Sequence, residues 1–151
     1  MNKFMCEAIK EAKEAKKMNE VPVGAVIVHD GKIIARAHNL AEKNKNPTHH
    51  AEILAINKAL KELGVKNLKG CELYVTLEPC AMCISACLLC KIDKVYFGAY
   101  DTKSGACGGK IDILREKCFD YKTEIYGGIE EKECKQIIVD FFDSVREGRK
   151  S

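Results

Sequence analysis

Two short stretches of this 151-residue chain carry side chains that could do chemistry. Pro79-Cys80-Ala81-Met82-Cys83 places two cysteines three apart where an apolar strand, CELYVTLE, gives way to the helical run AMCISACLLC. On the first turn of a helix, residues so spaced lie on one side. The N-terminal N–H groups and dipole there favour thiolate over thiol, so the pair suits a metal or redox exchange. The second stretch is His49-His50-Ala51-Glu52, at the mouth of another helical run. Within a regular helix, residues two apart point about 200° away from each other, from a rotation of about 100° per residue. His50 and Glu52 can face one site only if His50 precedes the regular helix. Pro47 and Thr48 permit this, because a residue before proline is pushed extended and threonine is a competent N-cap.

A second Cys-x-x-Cys, Cys87 and Cys90, follows the first. Around a zinc ion with bonds of about 2.3 Å the sulfurs sit about 4 Å apart. On a helix rising about 1.5 Å per residue, Cys80 and Cys87 are about 10 Å apart. One ion cannot collect all four thiols while the segment is helical, so Cys87 and Cys90 are expected to be packed core thiols. His50, Cys80 and Cys83 would instead give zinc one imidazole and two thiolates, with a fourth position open to water, as in catalytic sites. Zinc lowers the pKa of such a water from about 16 to about 7. Glu52, beside the ion without ligating it, could take the proton and return it to a substrate. Two anionic ligands would also cancel the formal charge of the ion, which suits a neutral heteroaromatic substrate.

The elements that must position these groups read as helices interleaved with strands. MNKFMCEAIKEAKEAKK sets Phe4, Met5, Ala8, Ile9 and Ala12 at helical spacing and lacks an apolar h-region and a cleavage site. It is an amphipathic helix and not a signal peptide. VGAVIV (23–28) and KIIARAH (32–38) are strands joined by Asp30-Gly31, a strong hairpin signal. After a polar loop, NLAEKNKNPT, the positions of Ile53, Leu54, Ile56, Leu60 and Leu63 predict a helix from Glu52 with one buried stripe, ended by Gly64. CELYVTLE (71–78) is a strand with Leu73, Val75 and Leu77 on one face and Tyr74 and Thr76 on the other. Pro79 takes a first-turn position of the next helix. KVYFGAY (94–100) is a strand, DTKSGACGG a Gly-rich connection, TEIYG a short strand, and the last helix runs from about Glu131 to Arg146. The order predicts an α/β fold, a three-layer α-β-α sandwich with a central mixed sheet of about five strands, in a single domain over residues 1–151.

With 46% hydrophobic and 31% charged residues, the chain can build one sizeable core. Nine cysteines, with Cys80, Cys83, Cys87 and Cys90 clustered in one apolar segment, fit reduced thiols better than a secreted disulfide framework. A net charge of +3 is too small to imply nucleic acid by itself, so such a partner would have to be met by local patches. The longest apolar runs fall short of the ~20 residues that a membrane span requires. A cytoplasmic location is the expectation.

His-Ala-Glu at 50–52 together with Pro-Cys-Ala-Met-Cys at 79–83 resembles the H-x-E…P-C-x-x-C signature of the zinc nucleobase deaminases. Within that class the chain most resembles the bacterial tRNA-specific adenosine deaminases, through EVPVGAVIV (20–28), NPTHHAEI, LYVTLEPCAMC, VYFGAYDTKSGA and DFFDSVREG, nearly the whole chain. The resemblance implies a cytidine deaminase-like fold, with one zinc per subunit held by His50, Cys80 and Cys83 and with Glu52 as the catalytic proton shuttle. It implies hydrolysis of the wobble adenosine of an arginine tRNA to inosine. It further implies that Asn39 contacts the flipped base and that Asp101, Lys103 and Ser104 hold the flanking nucleotides. Phe141, Phe142, Arg146, Arg149 and Lys150 would line the cleft for the anticodon stem-loop. A homodimer in which each tRNA touches both subunits, without membrane contact, belongs to the same expectation.

Several of these positions have plainer readings. Asn39 and Asp101 could be turn residues, one of the adjacent Phe141 and Phe142 could be core, and His49 could be a bystander. Glu78 is given no chemical role beyond holding loop amides. The segments ISACLLCKI and LAEKNKN depart from the family pattern and bear on substrate contacts, not on the metal. A deaminase of free guanine or cytosine would share both motifs, although the Gly-rich DTKSGACGGK loop and cationic tail favour a large polyanion. A noncatalytic zinc or redox module would leave Glu52 without a purpose.

Overall fold

The turn at Asp30-Gly31 has both residues at positive φ, 49° and 74°, the geometry that closes a tight hairpin with the right twist. In this computed structural model, which describes residues 1–150, that turn joins β1 (Gly24–His29) to β2 (Lys32–His38). Before the hairpin lies α1 (Lys3–Lys17). After it come α2 (Ala51–Leu63), β3 (Cys71–Leu77), α3 (Ala81–Leu89), β4 (Lys94–Ala99), β5 (Glu124–Tyr126) and α4 (Glu131–Lys150). The strands form one sheet in the order β2-β1-β3-β4-β5. β1 is antiparallel to β2 and β3, while β3, β4 and β5 run parallel. Parallel neighbours need a crossover, and α3 supplies the one between β3 and β4.

Alternate residues of the strands feed two separate cores. Val26, Val28 and Tyr74 pack against Met5, Ala8, Ile9 and Ala12 of α1 and Cys134 and Ile137 of α4. Ala25, Ile27, Leu73 and Val75 pack against Ala51, Ala55, Ile56 and Ala59 of α2 and Ile84 and Cys87 of α3. Helices therefore cover both faces, and the result is the expected three-layer α-β-α sandwich around a mixed five-stranded sheet. Cys87 is fully buried, and Cys90 is partly buried against the same core. Among the described residues, no helix is long and apolar enough to cross a membrane.

The structure corrects three local expectations. The buried face of α2 is Ala51, Glu52, Ala55, Ile56 and Ala59, whereas Ile53, Leu54, Leu60 and Leu63 are only partly buried. Alanines let α2 lie close to the strands, and the larger side chains fill the flanks of that contact. Thr48 is not the cap of α2; His50 is. Pro79 lies outside α3, whose N-cap is Cys80, so the two cysteines sit at the cap and first turn instead of both within the helix.

Close approach also governs the other face. A Cβ on Gly24 would collide with the backbone of Ala8 and Ala12 in α1. Gly24→Ala is therefore expected to cost about 1–3 kcal/mol of stability, typical of overpacking. A urea titration should show a lower midpoint at an unchanged slope.

Candidate active site

Four of the five strands begin or end at one cleft. Val21 and Val23 precede β1, Asn39 follows β2, Leu77 and Glu78 close β3, and Asp101 follows β4. These residues line a cavity of about 240 Å³ together with His50, Ala51 and Glu52 from the start of α2, Cys80 from the start of α3, and Ser104.

His50 occupies the N-cap of α2 in extended backbone, φ −73° and ψ 157°, and Cys80 the N-cap of α3, φ −75° and ψ 175°. His50 thus sits ahead of the regular helix, as the spacing to Glu52 requires. Neither side chain caps its own helix. They turn toward each other instead: His50 Nδ1 lies 3.7 Å from Cys80 Sγ and 3.6 Å from Cys83 Sγ. All three donor atoms fall within 4.8 Å of one another. Ligand atoms held about 2.0–2.3 Å from a tetrahedral zinc are separated by comparable distances, so this donor set fits the ion. The positive ends of both helix dipoles point at the same spot, which favours the thiolate form.

The protonation pattern follows from that crowding. Cys80 is lowered to about 4, chiefly because its thiolate accepts a hydrogen bond from the Cys83 thiol, with His50 also contributing. Cys83 is pushed up, since it keeps the proton it shares with Cys80 and is buried. His50 is raised, first by its hydrogen bond with Cys80. A divalent ion at the cluster would displace the Cys83 proton, as metal binding to thiols does. Beside it, Glu52 is only 4% exposed, and burial raises its carboxyl to about 7, against a lowering influence from His50. A carboxyl poised near neutrality can both take and give a proton.

A family model described as "Cytidine and deoxycytidylate deaminase zinc-binding region" matches residues 1–99. The chain belongs to this deaminase family. It is 47% identical to the tRNA-specific adenosine deaminase of Bacillus subtilis (strain 168) over 148 residues, 98% of this chain and 92% of the relative. Identity to the tRNA-specific adenosine deaminase of Aquifex aeolicus (strain VF5) is 46%, across 95% and 94% of the two chains. A solved structure from work on A-to-I editing by tRNA:A34 deaminases matches with a TM-score of 0.87 at 40% identity, covering 89% of this chain and 97% of the other. Guanine deaminase from B. subtilis matches less closely, with a TM-score of 0.64 at 37% identity and coverage of 80% and 72%.

The remaining positions expected from the deaminase resemblance fall into two groups. Asn39, Asp101 and Ser104 line the cavity beside the metal-ready cluster, whereas Lys103, Phe142 and Arg146 line an adjoining groove that shares Val21 with it. Asn39 is also a turn residue: its Oδ1 accepts from Ala41 N and its Nδ2 donates to Val21 O at 3.3 Å. Asp101 likewise accepts from the amides of Lys103 and Ser104. Neither of the adjacent phenylalanines is core; Phe141 is partly buried and Phe142 is 46% exposed, with their rings edge to face. Helix α4 runs along solvent there, which is why the pair stays open. His49 bonds to Asn44 and Asn46 within its loop and is not on the cavity. The side chains of Arg149 and Lys150 lie outside the described residues.

Two buried carboxylates shape the walls of the site: Glu78, expected to hold loop amides, and Glu20, which the sequence did not single out. Glu20, 1% exposed, accepts from the amides of Glu42 and Lys43 in the loop after β2. Glu78, 3% exposed, accepts from the amides of Asp101, Cys107 and Gly109 in the loop after β4.

Proposed function

We propose that this protein is a tRNA-specific adenosine deaminase, which converts the wobble adenosine of an anticodon loop, expected to be that of an arginine tRNA, to inosine with release of ammonia. The observation that carries this reading is the convergence of His50, Cys80 and Cys83 on one point beside the buried Glu52, in a cavity that adjoins a groove bearing Lys103 and Arg146. His50, Cys80 and Cys83 would hold the zinc ion. When bound, zinc supplies a Lewis acid that makes water nucleophilic near neutral pH.

Glu52 takes a proton from the attacking water and delivers it to N1 of the base, then assists departure of the amine from C6. One water is consumed and one ammonia released. Asn39 holds the base through the amide hydrogen that Val21 does not use, and its own turn keeps that amide aimed. A loop base is already partly unstacked, so moving it into the cavity costs less than extracting it from a duplex. Asp101 and Ser104 hold the flanking nucleotides. Lys103 and Arg146 meet phosphates, and the exposed ring of Phe142 offers a stacking surface. Arg146 is held by Asp143, one turn away on α4.

Ammonia release should be measured with an anticodon stem-loop, guanine, cytosine and free adenosine. Turnover confined to the stem-loop is the expected result, and turnover of guanine in its place would transfer the assignment to the free-base deaminases. Arg146→Ala or Lys103→Ala is expected to weaken stem-loop binding across sequences and to reduce the slope of log K against log salt by about 1. The chain is further read as a cytoplasmic homodimer. Leu89 on α3, 68% exposed, is a large apolar side chain that a second copy would cover. Sedimentation at a mass near 16.8 kDa would remove that reading.

A further inference from the structure

Glu78 stands between the two halves of the site, and the reaction outlined above does not use it. Its carboxylate is buried, and both oxygens are committed to backbone. Oε1 accepts from Asp101 N at 2.9 Å, and Oε2 accepts from Cys107 N at 2.9 Å and Gly109 N at 2.8 Å. One side chain thus ties down both ends of the loop that carries Asp101 and Ser104 into the cavity. Two glycines make room for it, since a Cβ on Gly105 would strike the Glu78 carboxylate and the Asp101 carbonyl, as would one on Gly109. The same loop is docked on the metal-ready segment: Ala106 N donates to Pro79 O at 2.9 Å, and Cys80 pairs with Gly105 in a short antiparallel bridge.

From this arrangement we propose that Glu78 is a positioning residue that fixes the distance between the zinc ligands and the substrate-holding loop, and so sets how tightly the anticodon stem-loop is gripped. Glu78 is joined to Cys80 through Pro79, whose ring fixes φ. The side chain at 78 and the ligand at 80 therefore act as one rigid gauge. Three converging N–H groups need an acceptor without hydrogens of its own. A carboxylate offers about four acceptor sites, whereas an amide sets two N–H groups against one end of the loop. The loop carries Asp101, Lys103 and Ser104, which touch the nucleotides around the reacting base in the proposed function, and the inference rests on that reading. The reacting atoms themselves are served by Glu52 and the ligand cluster, whereas Glu78 spends both oxygens on the loop amides. Loosening the loop should therefore weaken binding while leaving the chemical step nearly intact.

The test uses Glu78→Gln in the full chain, with zinc per chain, stem-loop KM and kcat measured together. Stem-loop Kd is read by fluorescence anisotropy in a Glu52→Ala background, where no turnover interferes. The expected result is a KM and a Kd raised about tenfold or more, with kcat within threefold of the parent and zinc unchanged. A second variant, Gly109→Ala, displaces the same loop with Glu78 intact and is expected to give the same split. It decides the matter alone if Glu78→Gln does not fold. Parental KM and Kd in the folded variants overturn the proposal, as does a loss of zinc and kcat at unchanged KM. A parent enzyme inactive on the stem-loop would instead overturn the wobble-adenosine reading itself.

Discussion

Glu52→Ala is expected to keep its zinc and lose ammonia release by about 10²–10⁴-fold, the range that removal of a general acid–base group costs. The zinc should stay because the three donors that could hold it are on His50, Cys80 and Cys83, and Glu52 is not among them. Turnover should fall because the described groups on the cavity include no second carboxyl free for the work: Glu78 is committed to three loop amides, and Asp101 to two. Stability should not fall in parallel. Burial disfavours the charged form of Glu52, so its native environment is unfavourable to it, and such groups are often kept at a cost in stability. Glu52→Gln, which preserves volume, separates the proton from the packing. If either variant turned over stem-loop at the parental rate, the proton-shuttle assignment would have to be abandoned.

Removing zinc with a chelator should have the next largest consequence, lowering the melting temperature by about 5–10 °C while abolishing turnover. A ligand present at about 100 times its Kd stabilises the native state by about 2.7 kcal/mol, and each kcal/mol is worth about 2–4 °C in a domain of this size. The local reason is the pair of N-caps. A capping side chain normally accepts from the first-turn amides and contributes about 1 kcal/mol, yet neither His50 nor Cys80 does so. With zinc bound, the starts of α2 and α3 would instead be joined to each other through the donors on His50, Cys80 and Cys83. Amide exchange should therefore accelerate first at residues 51–54 and 81–84 when zinc leaves. An unchanged melting curve for verified metal-free protein would mean that the three donors do not hold a structural load.

Much of this was legible from local chemistry. Asp30-Gly31 demanded a tight hairpin and made one, and Gly64 ends α2 with φ at 65° in the left-handed region. The requirement that His50 stand ahead of its helix came from the rotation between residues two apart, and the extended backbone there meets it. The misreadings have a common cause, since they concern which of several permitted partners is chosen in three dimensions. Hydrophobic spacing in α2 drew attention to Ile53 and Leu60, because alanine carries little weight in such a pattern. Burial went to Ala51, Ala55 and Ala59, which admit the sheet most closely. Proline favours the first helical turn, but Pro79 belongs to the bridge between β3 and α3. Glu20 follows no period. Its partners are backbone amides 22 and 23 positions away, which no local pattern announces.

The gathering of four strand termini around one hollow makes this architecture modular. The reactive centre hangs from two helix starts, while most of what surrounds it hangs from connections that can lengthen, shorten or change composition without disturbing the sheet. Such a plan lets evolution retarget an old catalyst by rewriting its rim, and it accounts for how an enzyme named for guanine can share 37% of its aligned residues with this chain.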